Sequence, residues 1–242
     1  MQRYSGGDLS SEAARLEEAR IKAAYSKRQD DNIRYSCFNR GELFMMQGRE
    51  RQLLTFLQRY GFERLGGKKI LEIGCGTGHW LREFIKWGAR PENINGVDLL
   101  IDRVAEARQL CPSLVNVQCG SAAELGFRNS SFDLILQLTV FTSILDPEMK
   151  LEIASEMLRV LKRDGLIIWY DYHVDNPWNA DVRGVTKREI RQLFPECRIE
   201  LKRTTLAPPI ARWLAPRSWL LASLFERIPF LCTHYIGVIK KA

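Results

Sequence analysis

Residues Lys69 to Trp80, reading KILEIGCGTGHW, hold the densest grouping of side chains and glycines able to bind a ligand. A short β-forming run with Ile70, Leu71 and Ile73 leads into glycines at alternate positions, Gly74, Gly76 and Gly78. An amphipathic helical pattern starts immediately afterwards. Lacking Cβ atoms, such a segment turns sharply and lets a ligand approach the main chain. The free N–H groups that open the next helix then face an anionic or polar part of that ligand. A Walker-type phosphate loop would close with Gly-Lys-Ser/Thr, whereas this one runs Gly78-His79-Trp80. A dinucleotide fingerprint would place glycine three residues after Gly76, where His79 stands. The loop carries no Lys or Arg, and the carboxylate of Glu72 precedes it. That charge pattern favours a ligand with a cationic or hydroxylic part over a pyrophosphate.

Glu72 and the three glycines, in register, resemble motif I of the class I S-adenosylmethionine-dependent methyltransferases, hydrophobic-Asp/Glu-hydrophobic-Gly-x-Gly-x-Gly. The resemblance extends over roughly residues 60–205. Asp98 ends the next β-forming run twenty positions after Gly78, where an acid can accept both hydroxyls of a ribose, and Leu99 follows it. Gly120 to Phe127 resembles the family's adenine-side loop, Gly-Asp-Ala-x-x-Leu-Pro-Phe, with Ser121 for the acid and Gly126 for the proline. A serine hydroxyl accepts from the adenine amino group more weakly than a carboxylate, and the Ala122 N–H can serve a ring nitrogen. SFDLILQLTVFTSILD, residues 131–146, resembles motif IV. In it Asp133 reads as structural, and Gln137 marks where main-chain carbonyls of the family hold the methionine amino group. The resemblance therefore implies S-adenosylmethionine as cofactor, held by Glu72, Gly74, Cys75, Gly76, Gly78, Asp98, Leu99, Ser121, Ala122 and Gln137. It implies no metal, because the strand ends in Gln137 and not in the acid of a catechol-type site.

The acceptor side is less uniform. The family often carries a His-His pair before a small apolar residue and Asp, but here Thr142 and Ser143 precede Ile144, Leu145 and Asp146. A base must come from elsewhere, or positioning alone must suffice. KRDGLIIWYDYH, residues 162–173, resembles the family's Leu-Lys-Pro-Gly-Gly turn and fifth strand and delivers Asp171, Tyr172 and His173 to the ligand edge. A neutral imidazole suits removal of a hydroxyl proton near pH 7, so His173 is the candidate base. It reads equally well as a loop histidine bonded to a carbonyl; Asp171 is then the base, or orients a partner. Tyr172, Trp178, Asn179 and Arg183 are the candidate acceptor contacts, since indole stacks on sugar faces and amides bond hydroxyls. The expected reaction is O-methylation of a small hydroxylated acceptor such as a glycan or glycolipid. An RNA methyltransferase and a non-catalytic S-adenosylmethionine-binding or partner module stand as the alternatives. No Asn-Pro-Pro-Tyr-like motif follows the fourth strand to support the first.

These residues need a scaffold that gathers them at one edge. Strand patterns at 69–74, 94–99, 115–118, 132–138, 166–172, 198–205 and 235–240 alternate with helical patterns at 78–87, 102–110, 147–161 and 187–194. Such alternation predicts an α/β fold, a doubly wound and mostly parallel sheet with ligands at the carboxyl ends of its strands. The resembling family sets seven strands in the order 3-2-1-4-5-7-6, a Rossmann-like arrangement. Residues 1–65 read as a helical extension and 66–242 as the methyltransferase domain. The extension is an exposed helix at 10–28 capped by Ser10 or Ser11, a polar break at 29–32, and a helix at 39–60. In that second helix Asn39 and Glu42 have capping-box spacing, and Leu43, Met46, Leu53, Leu54 and Leu57 are expected to pack on the domain. Residues 206–232, rich in Trp and Leu with Arg212, Arg217 and Arg227 between, form an insertion before the last strand. It reads as a helical cover, or as a hydrophobic surface for a lipid-linked substrate, a membrane face or a second subunit.

Composition bounds the partners. In 242 residues, 45% hydrophobic content is ample for a packed core. The net charge of +7 is mild, and basic and acidic residues interleave, as in Arg49, Glu50 and Arg51, which argues for a solvated surface and against a nucleic-acid face. The six cysteines show no CxxC spacing, the N-terminus lacks an apolar signal segment, and no run reaches the ~18 apolar residues of a membrane span. The expectation is a cytoplasmic protein with reduced thiols, its insertion available to the inner membrane face or a second copy.

Overall fold

The computed structural model describes residues 6–27 and 36–242, with side chains from residue 12 in the first stretch. The strands are β1 (Ile70–Ile73), β2 (Ile94–Asp98), β3 (Asn116–Cys119), β4 (Phe132–Leu138), β5 (Leu161–Tyr172), β6 (Cys197–Leu206) and β7 (Cys232–Lys241). The helices are α1 (Gly6–Ser26), α2 (Arg40–Arg59), α3 (His79–Lys86), α4 (Ile101–Leu110), α5 (Pro147–Val160), α6 (Lys187–Leu193), α7 (Pro208–Leu214) and α8 (Trp219–Glu226). The sheet order is β3-β2-β1-β4-β5-β7-β6, as expected from the resemblance. Only β7 opposes its neighbours β5 and β6. The carboxyl ends of β1 to β6 therefore share one edge, and β7 starts from that same edge.

Alternation along the central strands sends successive side chains to opposite faces. On one face Ile70, Leu134, Leu136 and Ile168 meet apolar residues of α2, α3 and α4. On the other, Leu71, Ile73, Ile135 and Trp169 meet α5, α6 and Ile21 of α1. Both faces are covered, so the central strands read as almost unbroken apolar runs.

Local differences from the sequence reading have identifiable causes. The turn expected at 162–165 is a bulged extension of β5, in which Phe132 pairs with Leu161 and Leu134 already pairs with Leu166. Asp133 holds the bulge by accepting from Lys162 Nζ and from the Lys69 N–H, both at 2.8 Å. Asn39 does cap α2, accepting from the N–H groups of Gly41 and Glu42. The Glu42 carboxylate, however, turns to Arg212 of α7 at 3.4 Å, and the Asn39 N–H donates to Ser36. Leu54 is exposed, and Phe44, Met45 and Phe56 take the buried positions beside Leu53 and Leu57. Helix α1 begins before Ser10 and Ser11, and its Glu17, Ile21 and Ala24 are buried, so it is not exposed all round. The polar break at 29–32 lies outside the described residues.

Gly237, in the middle of β7, tests how tightly β6 and β7 are matched. A Cβ there would lie 1.9 Å from the Glu200 carbonyl oxygen. Gly237→Ala is expected to destabilise the protein by about 2–4 kcal/mol through overpacking, read as a lower denaturant midpoint in chemical unfolding.

Candidate functional site

A cleft of about 750 Å³, counted to its open mouth, lies where the carboxyl ends of β1, β2 and β4 meet α1, α5 and the segment after β3. Gly74 supplies the floor. Its φ of +67° is left-handed, and a Cβ would come within 2.5 Å of Val140 Cγ2, so any side chain there would both strain the turn and fill the space. Gly78 has a different duty, because a Cβ on it would strike Cys111 Sγ at 2.7 Å. Glycine at that position lets the start of α3 pack against α4.

Asp98 ties the strand ends together. One carboxylate oxygen accepts the Gly76 N–H at 2.7 Å and the other the Leu100 N–H at 2.9 Å. Its main-chain carbonyl accepts from Gly120, at the end of β3. Each carboxylate oxygen keeps a second lone pair for a ligand hydroxyl. Glu72 lies behind the loop, buried, and its Oε2 has no hydrogen-bond partner. Burial and then the neighbouring Asp98 push its carboxyl well above the usual carboxylate range, while Arg82 and the Leu81 N–H oppose that rise. A buried carboxyl oxygen without a partner calls for a hydrogen bond that the protein itself does not provide.

Among the expected cofactor residues, Gly74, Asp98, Leu99, Ser121 and Ala122 line the cleft. Glu72, Cys75, Gly76, Gly78 and Gln137 are not among its lining residues. Cys75 is buried, and burial raises its thiol so that it stays protonated. Gln137 is wholly buried, its Oε1 accepting from the Val140 N–H at 3.2 Å and its Nε2 left without a partner. The end of β4 reaches the cleft instead through Leu138, Thr139 and Val140. Thr139 has φ of +62°, an unusual state for a β-branched residue. Its N–H donates to the Tyr170 carbonyl at 2.7 Å, so the twist couples β4 to β5 at the edge of the site.

Sequence reasoning missed the cleft's roof. Ile21 and Tyr25 of α1 line it, together with Ile144, Met149 and Ile153. Tyr25 meets the Ser143 hydroxyl at 3.1 Å and lies beneath the Arg103 guanidinium, 4.8 Å from its ring. Glu17 latches α1 in place: its Oε1 accepts from the N–H groups of Leu145 (2.5 Å) and Asp146 (3.3 Å). Arg20 pairs with Glu17 and donates to the Ser143 carbonyl at 2.6 Å. Burial alone would raise the Glu17 carboxyl, but Arg20 and the two N–H donors outweigh it and hold the group below the usual carboxylate range. Amphipathic spacing of Glu17, Ile21 and Ala24 is the signal that could have revealed this buried face.

Neither of the two candidate acid–base residues lines the cleft. Asp171 is buried on one face of β5, accepting from the Thr142 N–H at 3.2 Å, and does not line the cleft. Burial pushes its carboxyl up to about 7 against the lowering effect of the Thr142 and Tyr172 N–H groups and Lys150. His173 is half-buried, with Nε2 3.0 Å from the Cys232 carbonyl. A carbonyl only accepts, so Nε2 carries the proton and Nδ1 keeps its lone pair. Burial holds this imidazole below its ordinary pKa. Arg183 does not extend toward an acceptor: it pairs with Glu189, the partner of buried Lys150, and its N–H donates to Thr142. Asn179 accepts the Asp181 N–H, Tyr172 packs on His234, and Trp178 is 88% exposed. None of these residues lines the cleft. No group of three or more His, Cys, Asp or Glu placed to hold a metal occurs among the described residues.

Comparison with known proteins bears on this geometry. Residues 70–165 match the family model described as a methyltransferase domain. The chain is 31% identical over 133 residues to phthiotriol/phenolphthiotriol dimycocerosates methyltransferase of Mycobacterium tuberculosis, covering 53% of this chain and 47% of that protein. It is 30% identical over 104 residues to demethylmenaquinone methyltransferase of Staphylococcus aureus, covering 42% of each. The chain thus spans about half the length of these relatives. Among solved structures it resembles a SAM-dependent methyltransferase from Archaeoglobus fulgidus (TM-score 0.55, 19% identity, 82% of this chain and 98% of that one). It also resembles the [4+2]-cyclase SpnF (TM-score 0.60, 17% identity, 81% and 82%), which attests the shared fold. Motif I and the sheet order agree with the family match, so residues 70–165 are similar to the methyltransferase domains of the class I S-adenosylmethionine-dependent enzymes.

Proposed function

We propose that the protein transfers the methyl group of S-adenosylmethionine to a hydroxyl of a glycolipid-like acceptor. The observation that carries the cofactor half is the cleft at the left-handed glycine loop, where Gly74, Asp98, Leu99, Ser121 and Ala122 come together. The cradle fits the group: Asp98 offers a carboxylate with spare lone pairs for ribose hydroxyls, Ser121 a hydroxyl, and Ile21, Leu99, Met149 and Ile153 an apolar wall for adenine. Gly74 would bring main chain to the ligand, Cys75, Gly76 and Gly78 shape the turn, and Leu99, Ser121 and Ala122 would hold the adenine. Gln137 acts through the loop it fastens, Val140 included. When bound, S-adenosylmethionine supplies a methyl carbon made electrophilic by its sulfonium.

The protein's own part is alignment, exclusion of water and removal of one proton. Helix α1, with Ile144, Met149 and Ile153, closes the site against solvent. The acceptor approaches from the side of the loop after β5, where Trp178 and Asn179 offer an indole face and an amide and Tyr172 a ring edge. His173 Nδ1 receives the acceptor's hydroxyl proton, its Nε2–H steadied by Cys232. Asp171 and Arg183 are positioning residues that fasten the 141–143 turn and the 183–189 segment. Support for a lipid-borne acceptor comes from the two relatives, whose names specify a dimycocerosate and a menaquinone. Radiolabelled methyl transfer into fractionated cell extract is the decisive experiment. Label in the lipid fraction is expected, and label confined to RNA would replace this reading with the nucleic-acid one.

Asp98→Asn is expected to weaken S-adenosylmethionine binding about tenfold or more, because a charge-assisted acceptor is lost; isothermal titration calorimetry measures it. His173→Ala should lower kcat by about a hundredfold or more with S-adenosylmethionine affinity unchanged. Asp171→Asn carries a pH signature. The Asp171 pKa is higher in the folded protein than in the unfolded chain, so the native state holds a proton that the unfolded chain releases. Stability from this group is present in acid and is lost as pH rises toward about 7. The melting temperature of Asp171→Asn relative to the parent should therefore increase from pH 4 to pH 8, and a constant difference would refute the assignment.

A further inference from the structure

The insertion between β6 and β7 leaves a surface that methyl transfer does not use. Its inner side is filled: Ala211, Leu214, Ala215 and Ala222 pack with Phe44 and Met45 of α2 in a small separate core. Its outer side is apolar and open. Leu220 is 70% exposed and Phe230 78%, and Leu221, Leu224, Phe225 and Trp213 are also exposed. Of the eight residues of α8 only Ala222 is buried. A folded domain seldom spends that many large apolar side chains on water within one short segment.

Charge distinguishes the occupants such a face could take. Beside α8, between it, α2 and β6, lies a cleft whose walls carry Arg51, Lys202, Arg203 and Arg227, with Glu226 as the one acid and Trp219 at its side. Glu226 is itself drawn inward: burial raises its carboxyl despite Arg51 and Lys202 nearby. Arg217, stacked 4.9 Å from the Trp213 ring, adds a further cation at the border of the apolar patch. An apolar face bordered by cations is complementary to a bilayer with anionic headgroups: the aliphatic and aromatic side chains enter the acyl boundary while the cations meet phosphates. A second copy of the chain would bring the same cations against themselves. No helix among the described residues is long and apolar enough to cross a membrane, so this contact is peripheral.

We propose that α8 and the 229–231 turn dock the protein on the surface of an anionic phospholipid bilayer, with a lipid phosphate seated in the Arg51, Lys202, Arg203 and Arg227 cleft. The docking face springs from the sheet edge that carries the ligand cleft, because β6 ends and β7 begins there. A lipid-borne acceptor would thus meet the protein on the side where its methyl donor is held.

The test is co-sedimentation of the full chain with vesicles of phosphatidylcholine alone or mixed with phosphatidylglycerol, and it requires neither cofactor nor acceptor. Failure here and failure of the proposed reaction are therefore distinguishable. Binding is expected to the mixed vesicles, weak or none to the neutral ones, and to fall as salt is raised. The double variant Leu220→Glu/Leu224→Glu, at exposed positions, should retain its melting temperature and S-adenosylmethionine affinity while losing about tenfold or more in vesicle binding. Lys202→Glu/Arg227→Glu should remove the preference for phosphatidylglycerol. Equal binding to both vesicle types, or vesicle binding unaffected by both double variants, would overturn the proposal. So would concentration-dependent dimerisation in sedimentation velocity that Leu220→Glu/Leu224→Glu abolishes, which would make the patch a face between two copies.

Discussion

The grip of Asp98 on the Gly76 N–H is the contact from which the ligand edge is built. With its other oxygen on Leu100 and its carbonyl on Gly120, Asp98 joins the glycine loop, the start of α4 and the end of β3. The Val97 carbonyl adds bonds from Gly74 and Cys75 to the same junction. Three consecutive parallel strands thus end in one hydrogen-bonded knot. A parallel sheet gives its strand ends no hairpins to fix them, so side-chain and loop bonds must do so. The carboxylate proposed above to hold a ribose is also the group that shapes the loop in front of it.

Around this knot the electrostatics are divided. Asp98 supplies the carboxylate at the loop while burial and Asp98 itself disfavour charge on Glu72 behind it, and cations arrive from helices: Arg82 donates to Thr77 at 2.7 Å, and Arg103 stands over Tyr25. The loop itself holds no basic residue, yet its environment is not free of them. Toward β5, two threonines in left-handed conformations, Thr139 and Thr205, both bond Tyr170, one at its carbonyl and one at its hydroxyl. Backbone strain at non-glycine positions persists where surrounding contacts enforce it. Here it draws the ends of β4 and β6 onto one tyrosine of β5.

Helix α1 joins this arrangement through the Glu17 carboxylate, with Arg20 and Tyr25 bonding Ser143 beside it. Glu17 caps the main chain at Leu145 and Asp146, immediately before α5, whose own cap is Asp146. The latch is strongest with Glu17 ionised and weakens as acid protonates it, since its pKa is lower when folded than unfolded. Closing of the cleft is thereby a property of the N-terminal helix together with the domain, and not of the domain motifs alone.

The sequence by itself determined the sheet and its ligand edge, and its motifs pointed to the cofactor proposed above. Short apolar runs alternating with helical patterns point to a mostly parallel sheet, and glycines preceded by an acid mark its first turn, because these depend on neighbours in the chain. Gly74, Asp98, Leu99, Ser121 and Ala122 were legible for that reason. Only the tertiary structure decided the rest. It turned Asp171 inward under Thr142, gave Arg183 to Glu189, set Leu138 to Val140 at the cleft in place of Gln137, and laid Ile21 and Tyr25 over the top. Those placements rest on contacts between residues far apart in the chain, such as Glu17 with Leu145. Their geometry is set by how α1, α5 and the 141–143 turn pack, and spacing along one strand carries no record of it.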